Sequence, residues 1–529
     1  TQEEKDHILG EYLMIGGTFT LFEKENGELG ITIQRATEKE KAEGKQETPV
    51  QTKEKEKARI VVESLEKRKY LFSGELPMNV LLLILSGAVS GMACAVYDIP
   101  YIIYHSLIPF FYVIFKKAPE TGVLKMYLYG FAFFYSYYIA VFHWFIYQYP
   151  LDFLGFSKTM SIIYILLAVF GVALLMTILF AFIPVVLRFY VKFFSRGADA
   201  LSPLFISCVW CLTEWLNSKT FMAVPWARLA VTQQSNIFYI QSASILGSFF
   251  ISFIIVFFAS SIAYAVLHRK DNKKNAVICT LCASCLIFAN SVLGVALYYT
   301  DIFKEPVETV TVSAIQGNVS STEKADGSFL YEVDKYLEMI YDEAKRTNPD
   351  IIVTVEIRDE AYIRGNQLKG AGGMPCVSER FGLAAKETDA VILLGAFCET
   401  KSNSYNSIFM FTPDGEVSET VYHKRHLVPF GEFLPFRPVL QTLLPFLDDI
   451  NYMDNDLTAG EDAAVFDTSH GLIGSVICFD SIFELLSAES VQNGAEMLAI
   501  STNDSWFADS SAIFEHNGHA ILRAVENRR

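Results

Sequence analysis

The hydrophobic residues of the chain are concentrated between Pro77 and about Thr300, whereas the stretches before and after are mixed in polarity. Within that region, long uncharged runs follow one another and are separated by short loops that contain Lys or Arg. Since a helix needs about 20 apolar residues to cross the hydrocarbon core, the pattern predicts about seven transmembrane helices. Their predicted ranges are 78–97, 101–115, 126–149, 160–187, 201–217, 237–267 and 276–298.

The distribution of Lys and Arg among the loops predicts the orientation of these helices, because cytoplasmic loops are enriched in both residues. If residues 1–75 are cytoplasmic, thirteen Lys and Arg residues lie in cytoplasmic loops. Only four lie on the other side: Lys158, Lys219, Arg228 and Lys304. Seven spans that start from a cytoplasmic N-terminus place everything after about residue 300 outside the cytoplasm.

After Glu308 the pattern changes to short β-rich runs that alternate with helical stretches, which is typical of a layered α/β domain. The predicted strands are VTVSAIQ, DIIVTVE, AVILLGAF, SIFMFTP, LIGSVICF and EMLAIST, and the predicted helices are FLYEVDKYLEMIYDEAKR and SIFELLSAESVQNG. We therefore predict a multi-domain chain, with an α-helical polytopic membrane bundle at 76–300 (the membrane region) and an extracytoplasmic α/β domain at 306–529.

Residues 1–75 form a polar, charged head and linker in this interpretation. The run TFTLFEKENGELGITIQ predicts a β-hairpin that turns at Asn26 and Gly27. The rest is typical of a solvated charged linker, and the sequence predicts no function for this head.

The composition agrees with a membrane protein and excludes other classes. Hydrophobic residues make up 52% of the 529 residues and charged residues 19%, which excludes a disordered chain. The net charge of −16 argues against nucleic acid as a partner, since phosphate binding requires a basic surface. Nine Cys are too few for a disulfide-stapled scaffold at this length. We find no metal-ligand cluster or phosphate-binding loop, so we expect no metal and no cofactor.

Three polar residues of the α/β domain stand at strand ends or in a loop: Glu356, Lys424 and Cys478. Taken singly, each is more typical of a solvated surface group or an inert core thiol. Together they include a carboxylate that could deprotonate a thiol and an ammonium that could stabilise the oxyanion formed at an acyl carbonyl. The combination therefore favours acyl transfer through a thioester.

The motifs AIQGNV, YHKRHLVPFGEFLPF, ICFD and STNDSWF, with the Glu after DIIVTV, resemble those of the nitrilase superfamily and its Glu-Lys-Cys triad. More narrowly, the chain resembles the bacterial apolipoprotein N-acyltransferase family, whose membrane part is matched by LTEWLNSKTFMAVPW. The resemblance covers roughly residues 77–529. It implies an α-β-β-α sandwich for the α/β domain.

The resemblance also implies a reaction in which a fatty acyl chain passes from a membrane phospholipid to a Cys thioester. The chain then passes to the α-amine of the N-terminal S-diacylglyceryl-cysteine of a lipoprotein. Glu356 would be the general base, Lys424 the oxyanion stabiliser and Cys478 the nucleophile. The residues expected to support the site or handle substrate are Glu432, Phe479, Asp480, Trp226 and Asn503, with Glu432 supporting Lys424 and Trp226 facing the membrane. The family implies a monomer in the bacterial inner membrane, with its catalytic domain on the periplasmic side.

The chain departs from the family pattern in four places. The run TVE that ends at Glu356 stands where the family has WPE. Phe479 and Asp480 stand where the family usually has Tyr-Glu, so the carboxylate is one methylene shorter. Asn217 stands where Arg is common. The family continues beyond the RAVENRR run through further strands and an eighth span, so we expect the domain to be truncated or divergent at Arg529.

Two other functions stay open at this point. A membrane-tethered nitrilase-type amidase would use the same triad, with water in place of the amine. A transporter or an inactive scaffold is the other, although the intact triad argues against it and the spans show no charged pathway. Glu214, an ionisable residue inside a predicted span, is either functional or hydrogen bonded to a neighbouring helix end.

Overall fold

The computed structural model describes most of the chain. The described residues are 11–14, 17–23, 29–35, 75–95, 99–152, 156–195, 199–220, 222–302, 309–319, 329–357, 377–400, 402–438, 442 and 456–529. Side chains are described from Pro77 onward within these ranges, except at 301–302, 329–330 and 356–357. The chain divides into two compact units, Thr1–Leu82 and Leu83–Arg529, and the second contains most of the membrane region together with the α/β domain.

The head contains a small antiparallel sheet. Its strands, in spatial order, are β1 (Glu11–Met14), β2 (Gly17–Glu23) and β3 (Leu29–Arg35). β2 and β3 are the two strands of the predicted hairpin and pair with Phe22 opposite Gly30. The turn predicted at Asn26 and Gly27 lies outside the described residues, and β1 is an additional strand.

The membrane region is built from apolar helices. They are α1 (Glu75–Ala95), α2 (Ile102–Ser106), α3 (Ile108–Lys117), α4 (Val123–Val141), α5 (Lys158–Phe180), α6 (Ile183–Tyr190), α7 (Ser202–Asn217), α8 (Ala243–Leu246), α9 (Ser248–His268) and α10 (Lys273–Ile302). In the described part of the chain, four stretches are long and apolar enough to cross a membrane: Pro77–Ala95, Lys158–Ser195, Ser248–His268 and Lys273–Thr300.

The other predicted spans have local reasons to differ from a single long helix. The stretch predicted at 101–115 is divided into α2 and α3, because Pro109 occupies the first turn of α3 and cannot continue a preceding helix. The stretch at 126–149 changes from α4 to a 3₁₀ helix at Phe142–Gln148, and α7 has only 16 residues. The count of seven transmembrane helices therefore stays a prediction.

Small residues allow the helices of the membrane region to approach closely. Gly87 and Gly91 of α1 face α4, where a Cβ atom would collide with the backbone carbonyls of Phe133 and Tyr137. Small residues at such crossings are what brings helices together in a bilayer, because lipid tails offer no hydrophobic driving force.

The α/β domain contains two sheets. The first has the order β4 (Val312–Ile315), β5 (Ile351–Ile357), β6 (Val391–Glu399), β7 (Ser404–Phe411) and β8 (Val417–His423). Its first three strands are parallel and its last three are antiparallel. The second sheet has the order β11 (Met497–Ser501), β10 (Gly471–Ile477) and β9 (Val465–Thr468).

The two sheets pack on each other, with β10 against β7 and β11 against β5, and helices cover them. α11 (Phe329–Thr347) and α12 (Val377–Thr388) pack on the first sheet through a buried apolar core. α13 (Glu484–Gln492) and α14 (Ala512–Asn527) lie on the side of the second sheet. The α/β domain is thus the α-β-β-α sandwich that the resemblance implied.

All six predicted strands and both predicted helices are present, with boundaries shifted by a few residues. β8, β9, α12 and α14 were not predicted from the sequence. β8 contains the half-buried Ser418 and the exposed Glu419, so its hydrophobic alternation is weak. Pairing with β7 defines it as a strand.

Candidate active site

The strand ends that carry two of the predicted catalytic residues lie on the same side of the sandwich. β10 and β11 are parallel, with Ile477 opposite Ser501. The Ser501 hydroxyl donates a hydrogen bond to the backbone carbonyl of Thr354 in β5. This bond ties β11, which pairs with the strand that precedes Cys478, to β5, the strand that carries Glu356. The Glu356 side chain lies outside the described part of the structure.

Cys478 lies on a sharp turn between β10 and the 3₁₀ helix Cys478–Ile482. Its φ angle is 46°, in the left-handed region that residues with a Cβ atom rarely adopt. Such strained strand-to-helix turns hold the side chain of a nucleophile clear of the sheet. We call residues 478–484 the nucleophile turn. The Cys478 side chain is partly exposed, so a substrate can reach it.

Lys424 directly follows β8 and is buried. Its Nζ atom lies 2.9 Å from Oε1 of Glu432, and Oε2 of Glu432 accepts a hydrogen bond from the backbone N–H of Val428 at 2.8 Å. A buried ammonium is stable only with a paired, hydrogen-bonded counter-charge. Glu432 therefore provides Lys424 with a counter-charge and fixes its position.

Asp480 is fully buried and connects the Lys424 loop to the nucleophile turn. Its Oδ2 accepts hydrogen bonds from the Tyr422 hydroxyl at 2.7 Å and from the Ile477 N–H at 3.3 Å, and its Oδ1 accepts from the His426 N–H at 2.7 Å. Burial raises the pKa of Asp480, although nearby Lys424 and these hydrogen bonds lower it. With its oxygens engaged inside the protein, Asp480 holds two loops together.

His516 of α14 supports the nucleophile turn from the other side. Its Nδ1 lies 2.9 Å from Oδ1 of Asp504, and its Nε2 lies 3.1 Å from both the Cys478 carbonyl oxygen and the Ser481 hydroxyl. The backbone at Cys478 is strained, so a direct hydrogen bond to its carbonyl stabilises the turn.

Trp226 is buried at the junction between the membrane region and the α/β domain, with 4% of its surface exposed. Its ring stacks on the His516 ring at 5.5 Å, and its Nε1 donates to Oε2 of Glu515 at 2.7 Å. α14 covers the ring of Trp226, so the side chain lies inside the protein in this structure. The role in substrate handling that the resemblance implied for Trp226 stays a prediction.

Glu515 was not singled out by the sequence, since an acidic residue on a polar helix face is common. Burial raises the pKa of Glu515 to about 8, although hydrogen bonds from Trp226 and Ser511 lower it. On the next turn of α14, His519 lies with Nε2 2.9 Å from the Trp226 carbonyl oxygen. Burial lowers the pKa of His519 well below its ordinary value, so its ring is neutral.

Three further predicted residues have simple local settings. Phe479 is buried and packs edge-on against Phe483, with 5.5 Å between ring centroids. Asn503 is buried after β11, where its side chain accepts a hydrogen bond from the backbone N–H of Ser505. Glu214 accepts hydrogen bonds from Trp210 and from the backbone N–H of Leu229, which favours the hydrogen-bonded alternative for that residue.

Two family models match the chain. The carbon-nitrogen hydrolase model matches residues 313–529, which identifies the α/β domain as a nitrilase-type domain. The model of the apolipoprotein N-acyltransferase N-terminal domain matches residues 86–261 in the membrane region.

The chain is also similar to curated proteins. Apolipoprotein N-acyltransferase of Geobacter metallireducens is 29% identical over 68% of this chain and 67% of its own length. That of Vibrio vulnificus is 27% identical over 64% and 63%, and that of Haemophilus influenzae is 26% identical over 84% and 81%. The chain belongs to the apolipoprotein N-acyltransferase family, and it spans about two thirds of the Geobacter and Vibrio relatives.

Proposed function

We propose that the protein transfers a fatty acyl chain from a membrane phospholipid to the α-amine of the N-terminal diacylglyceryl-cysteine of a lipoprotein. The observation that supports this most is Asp480, which accepts hydrogen bonds from the backbone N–H of His426, two residues after Lys424, and of Ile477, the residue before Cys478. A thiol and an ammonium joined in this way are the two groups that acyl transfer through a thioester requires.

In the first half-reaction, Glu356 takes the proton of the Cys478 thiol, and the thiolate attacks the ester carbonyl of the phospholipid. The ammonium of Lys424 stabilises the oxyanion of the tetrahedral intermediate. The intermediate collapses as the C–O bond breaks, and the leaving alkoxide of the lysophospholipid receives the proton from Glu356. The acyl chain is then bound to Cys478 as a thioester.

In the second half-reaction, the α-amine of the lipoprotein attacks the thioester carbonyl while Glu356 removes a proton from it. Lys424 again stabilises the oxyanion. The C–S bond breaks, the amide forms, and Glu356 returns the proton to the Cys478 thiolate. The amine competes with water for the same thioester, so exclusion of water separates a transferase from an amidase.

Both proposed substrates are anchored in lipid. They would reach the site by lateral diffusion, and the site would have to lie at the membrane surface. The junction of Trp226 with α14 supports this location, because it joins the nitrilase-type domain directly to the membrane region. We propose that this junction lies on the periplasmic side of a bacterial inner membrane.

The test is an acyl-transfer assay with the detergent-purified protein, a defined phospholipid and a diacylglyceryl-cysteine peptide. We expect an N-acylated peptide and an equal amount of lysophospholipid, with neither product from the Cys478→Ala variant. Release of free fatty acid without N-acylated peptide would reject the transferase in favour of a hydrolase. Products that persist in Cys478→Ala would reject the proposed nucleophile.

A further inference from the structure

A short segment of the membrane region, Pro225–Arg228, supports the nucleophile turn at both of its ends, indirectly through His516 at the first end and directly through Glu484 at the other. Trp226 acts at the first end, because it stacks on His516, which lies within hydrogen-bond distance of the Cys478 carbonyl. Arg228 acts at the other end, where its Nη2 lies 2.9 Å from Oε2 of Glu484, the first residue of α13. The two contacts are made by residues only two positions apart.

Arg228 is nearly inaccessible to solvent, with 2% of its surface exposed. Its Nη1 donates to the Ser248 hydroxyl at 3.1 Å, and its guanidinium lies over the Phe249 ring at 4.3 Å. Arg228 is therefore held from the membrane side by the start of α9. A planar guanidinium fixed in this way has little freedom to follow its partner.

Glu484 faces Arg228 from the α/β domain. It is also contacted by Lys219 Nζ at 3.6 Å and by the Ser218 hydroxyl at 3.3 Å, both at the end of α7. Burial raises the pKa of Glu484, but the charge and hydrogen bond of Arg228, with a backbone hydrogen bond and the charge of Arg523, together lower the pKa to about 2. Glu484 is thus a permanent anion that ties the nucleophile turn to the membrane region.

A second arginine restrains the same end of the turn from within the α/β domain. Arg523 of α14 is fully buried, and its Nη1 lies 3.4 Å from the carbonyl oxygen of Ile482. Its Nη2 lies 2.7 Å from Glu526, which in turn accepts a hydrogen bond from the Ser248 N–H at 2.7 Å. Ser248 therefore contacts Arg228 directly and contacts Arg523 through Glu526.

The segment that carries Arg228 is itself anchored. Glu214 of α7 accepts a hydrogen bond at 3.1 Å from the backbone N–H of Leu229, the residue after Arg228. The position of the guanidinium is thus defined by α7 on one side and α9 on the other.

We propose that Arg228 is a positioning residue for the nucleophile: through Glu484, the membrane region determines where the turn that carries Cys478 stands relative to Lys424. This inference rests on the proposed function only for its effect on acyl transfer. Its structural consequence is that Cys478 reaches its reactive position when the α/β domain is docked on the membrane region.

The test compares Arg228→Gln and Glu484→Gln with a control, Arg380→Gln. Arg380 forms an ion pair with Asp334 between α12 and α11, away from the nucleophile turn. For each purified protein, the rate of Cys478 alkylation by iodoacetamide, the thermal unfolding midpoint and the kcat and KM of acyl transfer are measured. Alkylation reports on the thiol whether or not the protein is an acyltransferase.

We expect Arg228→Gln and Glu484→Gln to slow the alkylation of Cys478 by about 10-fold or more. We expect kcat to fall on the order of 100-fold with KM little changed, since small misplacements of a reacting group have effects of this size. Arg228→Lys, which keeps the charge, should recover a substantial part of both rates. Arg380→Gln should match the wild type in both rates.

Unchanged alkylation and kcat in Arg228→Gln and Glu484→Gln would overturn the proposal. A lowered unfolding midpoint with normal rates would also overturn it, because the pair would then be structural only. If Arg228→Gln and Glu484→Gln fail to fold, the Arg228→Lys variant provides the test. Slowed alkylation of Cys478 at a wild-type unfolding midpoint would support a positioning role, and a wild-type alkylation rate would contradict it. Normal alkylation of the wild type without acyl transfer would reject the proposed function and leave this inference standing.

Discussion

Two buried ion pairs flank the nucleophile turn, and they differ in origin. Lys424 and Glu432 belong to one loop of the α/β domain and are eight residues apart. Arg228 and Glu484 come from the membrane region and the α/β domain and are 256 residues apart. The first pair supplies a charged group for the proposed chemistry, and the second joins two regions of the chain around the same turn.

These two ion pairs indicate how the reactivity of a hydrolase-type domain can depend on a membrane region. The Lys424 pair needs only the local loop, so an isolated nitrilase-type domain could form it. The Arg228 pair exists only when the two regions are docked. The charged group for the proposed chemistry thus depends on one loop of the α/β domain, whereas the position of the nucleophile depends on both regions.

The largest expected effect is at the nucleophile that both pairs surround. Cys478→Ala should abolish acyl transfer, because the thioester can no longer form. Product formation measured by mass spectrometry of the peptide checks this. The thermal unfolding midpoint should stay near the wild-type value or rise, since replacing the Cys478 side chain removes none of the hydrogen bonds of Asp480. Residual transfer at more than a trace level would contradict the mechanism.

The local pair is tested next. Lys424→Met should lower kcat by about 100- to 1,000-fold, as for the loss of one oxyanion-stabilising group. The change also leaves Glu432 without its cation, so the double variant Lys424→Met/Glu432→Gln is the matched control for stability. We expect the double variant to be as inactive as Lys424→Met but more stable. A double variant with near wild-type kcat would show that the ammonium is not used in the reaction.

A smaller effect is expected from the partner of Lys424. Glu432→Gln keeps an oxygen for the Val428 N–H but removes the charge that holds the ammonium. We expect kcat to fall by roughly 10-fold, within the range for a charge-assisted hydrogen bond. Steady-state kinetics at saturating phospholipid measure this. A loss as large as that of Lys424→Met would assign Glu432 a direct role in the reaction.

The smallest effect on activity is expected at the junction with the membrane region, where Glu515→Gln should act mainly on stability. The pKa of Glu515 is raised from its ordinary 4.5 to about 8, so the folded protein holds a proton that the unfolded chain releases. The contribution of Glu515 to the free energy of unfolding is therefore complete below about pH 4.5. It decreases as the pH rises toward 8, by up to about 1.4 kcal/mol per pH unit.

Gln at this position accepts the Trp226 hydrogen bond without ionising. The unfolding midpoint of Glu515→Gln should therefore exceed that of the wild type by an amount that grows between pH 5 and pH 8. Glu419→Gln, at an exposed position of β8, is the control and should show no such trend. A difference that does not change with pH would mean that Glu515 is ionised in the folded protein.

The sequence predicted the parts of the fold that depend on local pattern. Long apolar runs predicted the membrane helices, and β-rich runs predicted six strands of the sandwich. The contacts of Asp480 could not be predicted from local pattern. The resemblance implied that Asp480 supports the site or handles substrate, but its partner Tyr422 lies 58 residues away on β8. No local pattern reports a contact over that distance.

The junction was the hardest part to predict. Trp226 and Glu515 are 289 residues apart, and each looks ordinary in its own segment. Trp226 was expected to face the membrane only because the resemblance implied it. Arg228 could be noticed in the sequence as one of few basic residues in the predicted external loops. Its partner, Glu484, could not be predicted, because this contact depends on how the two regions dock.

The most direct test of the central claim is the intact mass of the detergent-purified protein after incubation with a defined phospholipid and no acceptor. The proposed mechanism predicts a gain of one acyl chain that maps to Cys478 and is released when a diacylglyceryl-cysteine peptide is added. No adduct on Cys478, or one that leaves only to water, would contradict acyl transfer to a lipoprotein through this thiol.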